Sequence, residues 1–212
     1  IGTLSGTGTT SSWPAPYGNW YRNAKHQFLY TAAELNAMGF IGGKITEIAW
    51  EITTINGTTT YNSYQISMGF TGTTSLTAWE AGLTQVMSPQ NIVINTGWNV
   101  HALTTAYEWD GISNLVVEIC YDNLAVSYTQ NSSTPYTTTG FNSCLYYRSD
   151  SQPACPELSS TTSANRPITR FTTCPTIPDP ANFSFALTPV SEIDDATAQN
   201  TFATPQITTN YQ

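Results

Sequence analysis

Alternation of apolar and polar side chains is the dominant pattern of this chain. In GWNVHALTTAYEWDGISNLVVEICYDN (97–123), Val100, Ala102 and Leu103 lead to Tyr107 and Trp109. Beyond a break, Leu115, Val117 and Ile119 alternate with Val116, Glu118 and Cys120. A period of two is that of a half-buried strand. Between the runs, Trp109-Asp110-Gly111 supplies a reversal: Asp accepts from backbone N–H groups just ahead, and Gly takes the positive φ of a tight turn. The stretch predicts a hairpin, to which the other strands are added.

The same reading runs along the rest of the chain. Residues 1–12 form an edge strand or a loose arm, and His26, Phe28 and Tyr30 alternate as a strand. Thr31–Met38 is the one helical piece, with Thr31 and Glu34 at capping-box spacing and Gly39 as its stop. Ile45–Ile55 predicts a strand with Ile45, Glu47, Ala49, Glu51 and Thr53 on one face. Asn56-Gly57 predicts a second hairpin, returning through Tyr61–Phe70 with Tyr64, Ile66 and Met68 inward. Ser75–Leu83 reads as a connecting loop, and Val86-Met87 and Ile92–Ile94 as short strands split by Pro89. Val126–Thr129, Tyr136–Thr138, Leu145–Arg148 and Pro167–Phe171 are further strands. Many short strands with almost no helix predict an all-β, two-sheet antiparallel sandwich of jelly-roll-like type, with a closed barrel as the alternative.

Beyond Phe171 the pattern changes. Residues 172–212 hold five Pro, four acids and neither Lys nor Arg. Phe183, Phe185 and Leu187 alternate there, and Phe202 and Ile207 follow. The domain reading is therefore a sandwich over 1–171 and an acidic, Pro/Thr-rich extension over 172–212. An apolar strand left exposed invites aggregation, so this one either folds back on its own body or is donated to a neighbour's sheet edge.

Composition narrows the partners. Only 9% of residues are charged, against about a quarter in ordinary soluble domains, so Thr, Ser, Asn and Gln must make the polar surface. A net charge of −8 with six Lys and Arg excludes a nucleic-acid footprint. No apolar run is long enough to insert in a membrane. The chain opens on Ile1 with no leader ahead of it, which reads as a processed or trimmed chain. Four Cys without C-x-x-C spacing predict two disulfides in an exported protein. Cys120–Cys155 with Cys144–Cys174 is the preferred of three connectivities, each bond closing a loop of roughly 30 residues and worth on the order of 3 kcal/mol in the chain-entropy model. Three N-glycosylation triplets, at Asn56, Asn131 and Asn182, matter only in a eukaryote.

Candidate chemistry is sparse. His26 and His101 lack a neighbouring nucleophile motif, and His26 reads as a satisfied strand residue. Glu47 with Glu51, or Glu108 with Asp110, could pair as glycosidase carboxylates, but strand-surface charge explains them equally well. No catalytic residue is assigned and no enzyme is expected. Asp110 and Asp122 are the candidate ligands for calcium, the one ion considered; no other cofactor is expected. Trp13, Tyr17, Trp20 and Tyr21 cluster in one Pro/Gly-rich loop as candidate saccharide-stacking residues, or as a lid over the end of the sandwich. Trp50, Trp79, Trp98 and Trp109 are assigned to the core or its ends.

Several blocks together carry a resemblance: Trp13-Pro-Ala-Pro-Tyr17-Gly-Asn, Gln27–Leu35, Gly97-Trp98-Asn99, Trp109-Asp110-Gly111, Leu115–Glu118, Phe141-Asn142-Ser143, Leu145–Arg148 and Asn165-Arg166-Pro167. Over roughly 1–171 the chain resembles a β-sandwich module of large Bacteroidetes proteins exported by the type IX secretion route. The resemblance implies a secreted or cell-surface location and transfers no catalytic motif. Cys144, Cys174 and the acidic tail depart from the module's pattern. The expected function is that of a non-enzymatic extracellular structural or adhesive subunit. It would build filaments head-to-tail through Phe183, Phe185, Leu187, Phe202 and Ile207, with other copies of itself as partner. The alternative is a carbohydrate-binding module directed at surface glycans.

Overall fold

In the computed structural model, which describes residues 1–8 and 16–174, the alternating runs do become strands. They are β1 (Gly6–Gly8), β2 (Asn23–Tyr30), β3 (Gly43–Ile52), β4 (Thr60–Thr71), β5 (Thr84–Val93) and β6 (Gly97–Trp109), then β7 (Asn114–Asp122), β8 (Thr134–Thr138), β9 (Cys144–Ser149), β10 (Thr161–Ser163), β11 (Asn165–Pro167) and β12 (Thr169–Cys174). The helix α1 (Ala32–Ala37) follows β2. One antiparallel sheet has the order β10-β9-β2-β7-β4-β5; two smaller sheets are β12-β3-β6 and β1-β8-β11. A Thr54–Ser133 bridge links the smaller two. The sheets stay open, giving a sandwich and not a barrel.

The core lies between the six-stranded sheet and β3. Phe28, Tyr30, Ile66, Met68, Leu115, Val117 and Ile119 meet Ile45, Ile48, Trp50 and Ile52, all fully buried. Each such side chain contributes about 1.5–3 kcal/mol. β7 is buried on its other face too, where Val116 joins Leu29, Leu76 and Leu145 under Trp79, Leu83 and Phe141. The Cys120–Cys155 disulfide, separated by 35 residues, pins a loop to that outer face and is worth about 4 kcal/mol in the chain-entropy limit.

Neither predicted hairpin forms. β6 and β7 belong to different sheets, as do β3 and β4, so both reversals carry the chain across the sandwich. The turn chemistry itself is as expected. Asp110 Oδ1 accepts the Ile112 and Ser113 N–H groups at 2.9 and 2.8 Å, and Oδ2 accepts the Ser113 hydroxyl at 2.6 Å. Gly111 has φ 81°, and a Cβ there would lie 2.7 Å from the Ile41 carbonyl oxygen. What decides the pairing is the faces to be covered. β7 is apolar on both faces and suits the interior of a large sheet, whereas β6 exposes Val100, Ala102 and Thr104 and suits an edge.

Four further expectations are corrected. A bulge between Ile45 and Glu47 reverses the phase of β3, so Ile45 is followed inward by Ile48, Trp50 and Ile52. β5 runs unbroken through Pro89, because an edge strand loses no ladder bond to a missing N–H. Val126–Thr129 is a loop, tied by the Thr129 N–H to the Asn19 carbonyl at 2.8 Å. Cys144 and Cys174 are free thiols and not a disulfide: one is buried in β9, the other exposed at the end of β12 in a different sheet. The helix is as predicted, its Thr31 and Glu34 side chains each accepting from the other's backbone N–H at 3.2 and 2.9 Å. Among the described residues no helix is long and apolar enough to cross a membrane.

Candidate functional site

The predicted stacking residues do not share a surface. Trp13 lies outside the described residues. Tyr17 is fully buried, while Trp20 and Tyr21 are exposed, so Tyr17 has no face to offer a ligand. The Asp110 carboxylate is spent on its turn, and Asp122 Oδ1 accepts the Leu124 N–H at 3.0 Å. Among the described residues no three His, Cys, Asp or Glu side chains gather for a metal. His26 is buried between Phe28 and Tyr146, and neither ring nitrogen has a partner, contrary to the satisfied strand residue expected. Burial, helped by the nearby Arg148 charge, pushes its pKa well down. Phe183, Phe185, Leu187, Phe202 and Ile207 lie outside the described residues.

Tyr17 instead anchors an uncharged centre inside the sandwich. Its ring packs edge-on to Trp50 and Tyr61 and stacks at 6.1 Å on Tyr64, which stacks at 5.2 Å on His101. The Tyr17 hydroxyl lies 2.6 Å from His101 Nε2. Burial lowers the His101 pKa to about 4 and raises those of Tyr17, Tyr61 and Tyr64, so every group here is neutral at ordinary pH. Because the buried Tyr17 hydroxyl has no other acceptor, it donates to Nε2, and the imidazole proton sits on Nδ1. His101 lines a groove of about 670 Å³ where the edges of β5 and β6 diverge.

A second buried centre carries charge. Arg166 is inaccessible to solvent; its Nη2 meets Glu34 Oε1 at 2.7 Å and Nη1 meets Oε2 at 3.2 Å, a bidentate pair. Nη1 also donates to the Leu29 carbonyl, and the guanidinium lies 4.4 Å from the Tyr30 ring centroid. Partial burial of Glu34 opposes its charge, but the Arg166 and Thr31 hydrogen bonds prevail and hold its carboxyl below the usual range. Glu34 thus joins the helix cap to the start of β11.

Beside this centre runs the free side of β12. β12 pairs with β3 on one side; on the other, Ile1 and Thr169 exchange backbone hydrogen bonds. Beyond them, among the described residues, the edge has no strand partner. Ile1, Met38, Phe40, Trp98 and Phe171 line a groove of about 460 Å³ along it. Met38 and Ile41 are 64% and 81% exposed nearby. Arg170 projects outward, with its guanidinium 4.0 Å from the Trp98 ring centroid.

Comparison with family models, curated proteins and solved structures finds no match. The sequence reading missed both margins. Trp98, assigned there to the core or its ends, lines both grooves. Arg166 stood in a quoted block, yet a lone Arg in Asn-Arg-Pro carries no signal of a buried ion pair.

Proposed function

We propose that the protein is a non-enzymatic, extracellular structural or adhesive subunit that assembles head-to-tail through its C-terminal segment. The observation that carries this reading is the β12 edge, which beyond Ile1 has no strand partner among the described residues, with its apolar groove. An added strand gains main-chain hydrogen bonds from such an edge and side-chain pockets from such a groove. Phe183, Phe185 and Leu187 have the alternation that would fill it, and a contact between one copy's tail and the next copy's edge does not close on itself. The disulfide and the low charge content support an extracellular setting. Export by the type IX route in Bacteroidetes belongs to the same proposal and rests on the sequence resemblance alone.

The test compares the full chain with a chain ending at Thr176 and with a full-length Phe183→Asp/Phe185→Asp variant, by electron microscopy and light scattering. The full chain forms filaments; both variants are monomers that melt cooperatively. Monomeric full-length protein at high concentration, or filaments formed equally by the two variants, would refute the assembly.

A further inference from the structure

We propose that the margin between β5 and β6 is a binding site for an uncharged oligosaccharide. The groove there, about 670 Å³, falls in the ordinary range of ligand sites, ~300–1,000 Å³. None of its lining residues is charged, so nothing in it would offset the charge of an anionic or cationic ligand. What it offers is neutral hydrogen bonding over a small apolar floor of Met87 and Leu103. The Asn99 amide is consumed by its own turn, accepting the Asn95 N–H at 2.8 Å and donating to the Asn95 and Gly97 carbonyls. Gln90 and Asn95 are exposed, and their side chains have no hydrogen-bond partner among the described residues. Each amide presents a donor and an acceptor side by side, the complement of adjacent sugar hydroxyls, which also donate and accept.

The floor adds one directed group. Since Tyr17 occupies Nε2, the His101 Nδ1–H is the donor left over, with no partner among the described residues. That N–H is not one of the fully buried atoms left without a partner, so water reaches it from the groove, and a ligand hydroxyl oxygen can take that water's place as acceptor. Trp98 forms part of the rim, its ring held by the Arg170 guanidinium. The buried Tyr17 therefore acts as a positioning residue for His101 and does not stack on the sugar. This site shares Trp98 with the β12 groove, so it is tested in a variant whose tail is altered.

Full-length protein carrying Phe183→Asp/Phe185→Asp, which removes any effect of filament formation, is run in native gels containing xyloglucan, mannan or polygalacturonate. At least one of the two neutral polymers retards it and polygalacturonate does not. Adding Gln90→Ala/Asn95→Ala weakens that retention at least tenfold with the melting temperature unchanged, and Trp98→Ala weakens it further. The proposal is overturned if neither neutral polymer retards the protein, or if polygalacturonate does so most. It is equally overturned if the groove variants bind normally while Trp20→Ala does not, or if a synthetic peptide of residues 181–188 displaces the polysaccharide from the groove.

Discussion

The two buried polar centres solve the same problem in opposite ways. Around Arg166 and Glu34, toward the end of β2 at Tyr30, the core holds a full charge pair, with three guanidinium hydrogen bonds made and Nε left without a partner among the described residues. Around Tyr17 and His101, near Tyr121, which pairs with Ala24 at the other end of β2, it holds only neutral groups stacked on one another. A chain with 9% charged residues thus spends one of its few Arg side chains where loop, helix and strand must be joined. Around Tyr17 it relies on aromatic surface. An ion pair gives direction but fails badly when one partner is lost; an aromatic cluster tolerates loss but fails when charge is forced on it.

Breaking the charged centre gives the largest effect. Arg166→Ala strands Glu34 beside a cavity and costs about 3–5 kcal/mol in urea unfolding, whereas Arg166→Met/Glu34→Gln recovers much of that loss. Equal costs for the single and double variants would mean that the pair is unimportant.

Acid should separate the centres in time. His101 has a folded pKa of about 4 against an ordinary 6.5, so between these values the unfolded chain binds a proton that the folded chain refuses. Stability therefore falls as pH drops from about 6.5 to about 4, by roughly 3 kcal/mol, and levels off below. His26, depressed in the same direction, adds to this stage. Glu34 is lowered, so its contribution is complete above the usual carboxylate range and lost only at still lower pH. A melting series from pH 8 to pH 2 should show two stages, the upper reduced by Tyr17→Phe/His101→Phe and the lower by Glu34→Gln. A single stage that neither variant alters would collapse the distinction.

The smallest change sharpens the comparison most. Tyr17→Phe keeps the stacking and removes one hydroxyl, costing about 1 kcal/mol by denaturant midpoint. A loss as large as that of Arg166→Ala would show the neutral centre to be no more tolerant than the charged one.

Strand positions were largely legible because burial on one face imposes a period of two, and the capping box of α1 was legible because its chemistry is local. Partners were not. Asn56-Gly57 and Trp109-Asp110-Gly111 encode a change of direction, and nothing in a turn says whether the next strand rejoins its own sheet. A single bulge near Thr46 inverted the faces of β3. Of the two predicted disulfides one formed, since spacing alone cannot tell that Cys144 and Cys174 stand in separate sheets. For the candidate sites, Tyr17 was noticed but placed outside, because an aromatic in a Pro/Gly loop looks the same from sequence whether it points in or out. Gln90 and Asn95 gave no signal at all in a chain rich in amides.

Among the described residues, only β4 with β5 and β9 with β10 join strands adjacent in sequence. β2 waits for β7 and β9, and β3 waits for β12. Sheets knitted from such remote segments are slow to nucleate, since the entropy of closing long loops comes before any contact rewards it. A nascent copy would therefore lack its full set of strand pairings until β12 has been made, and would acquire its shape only then.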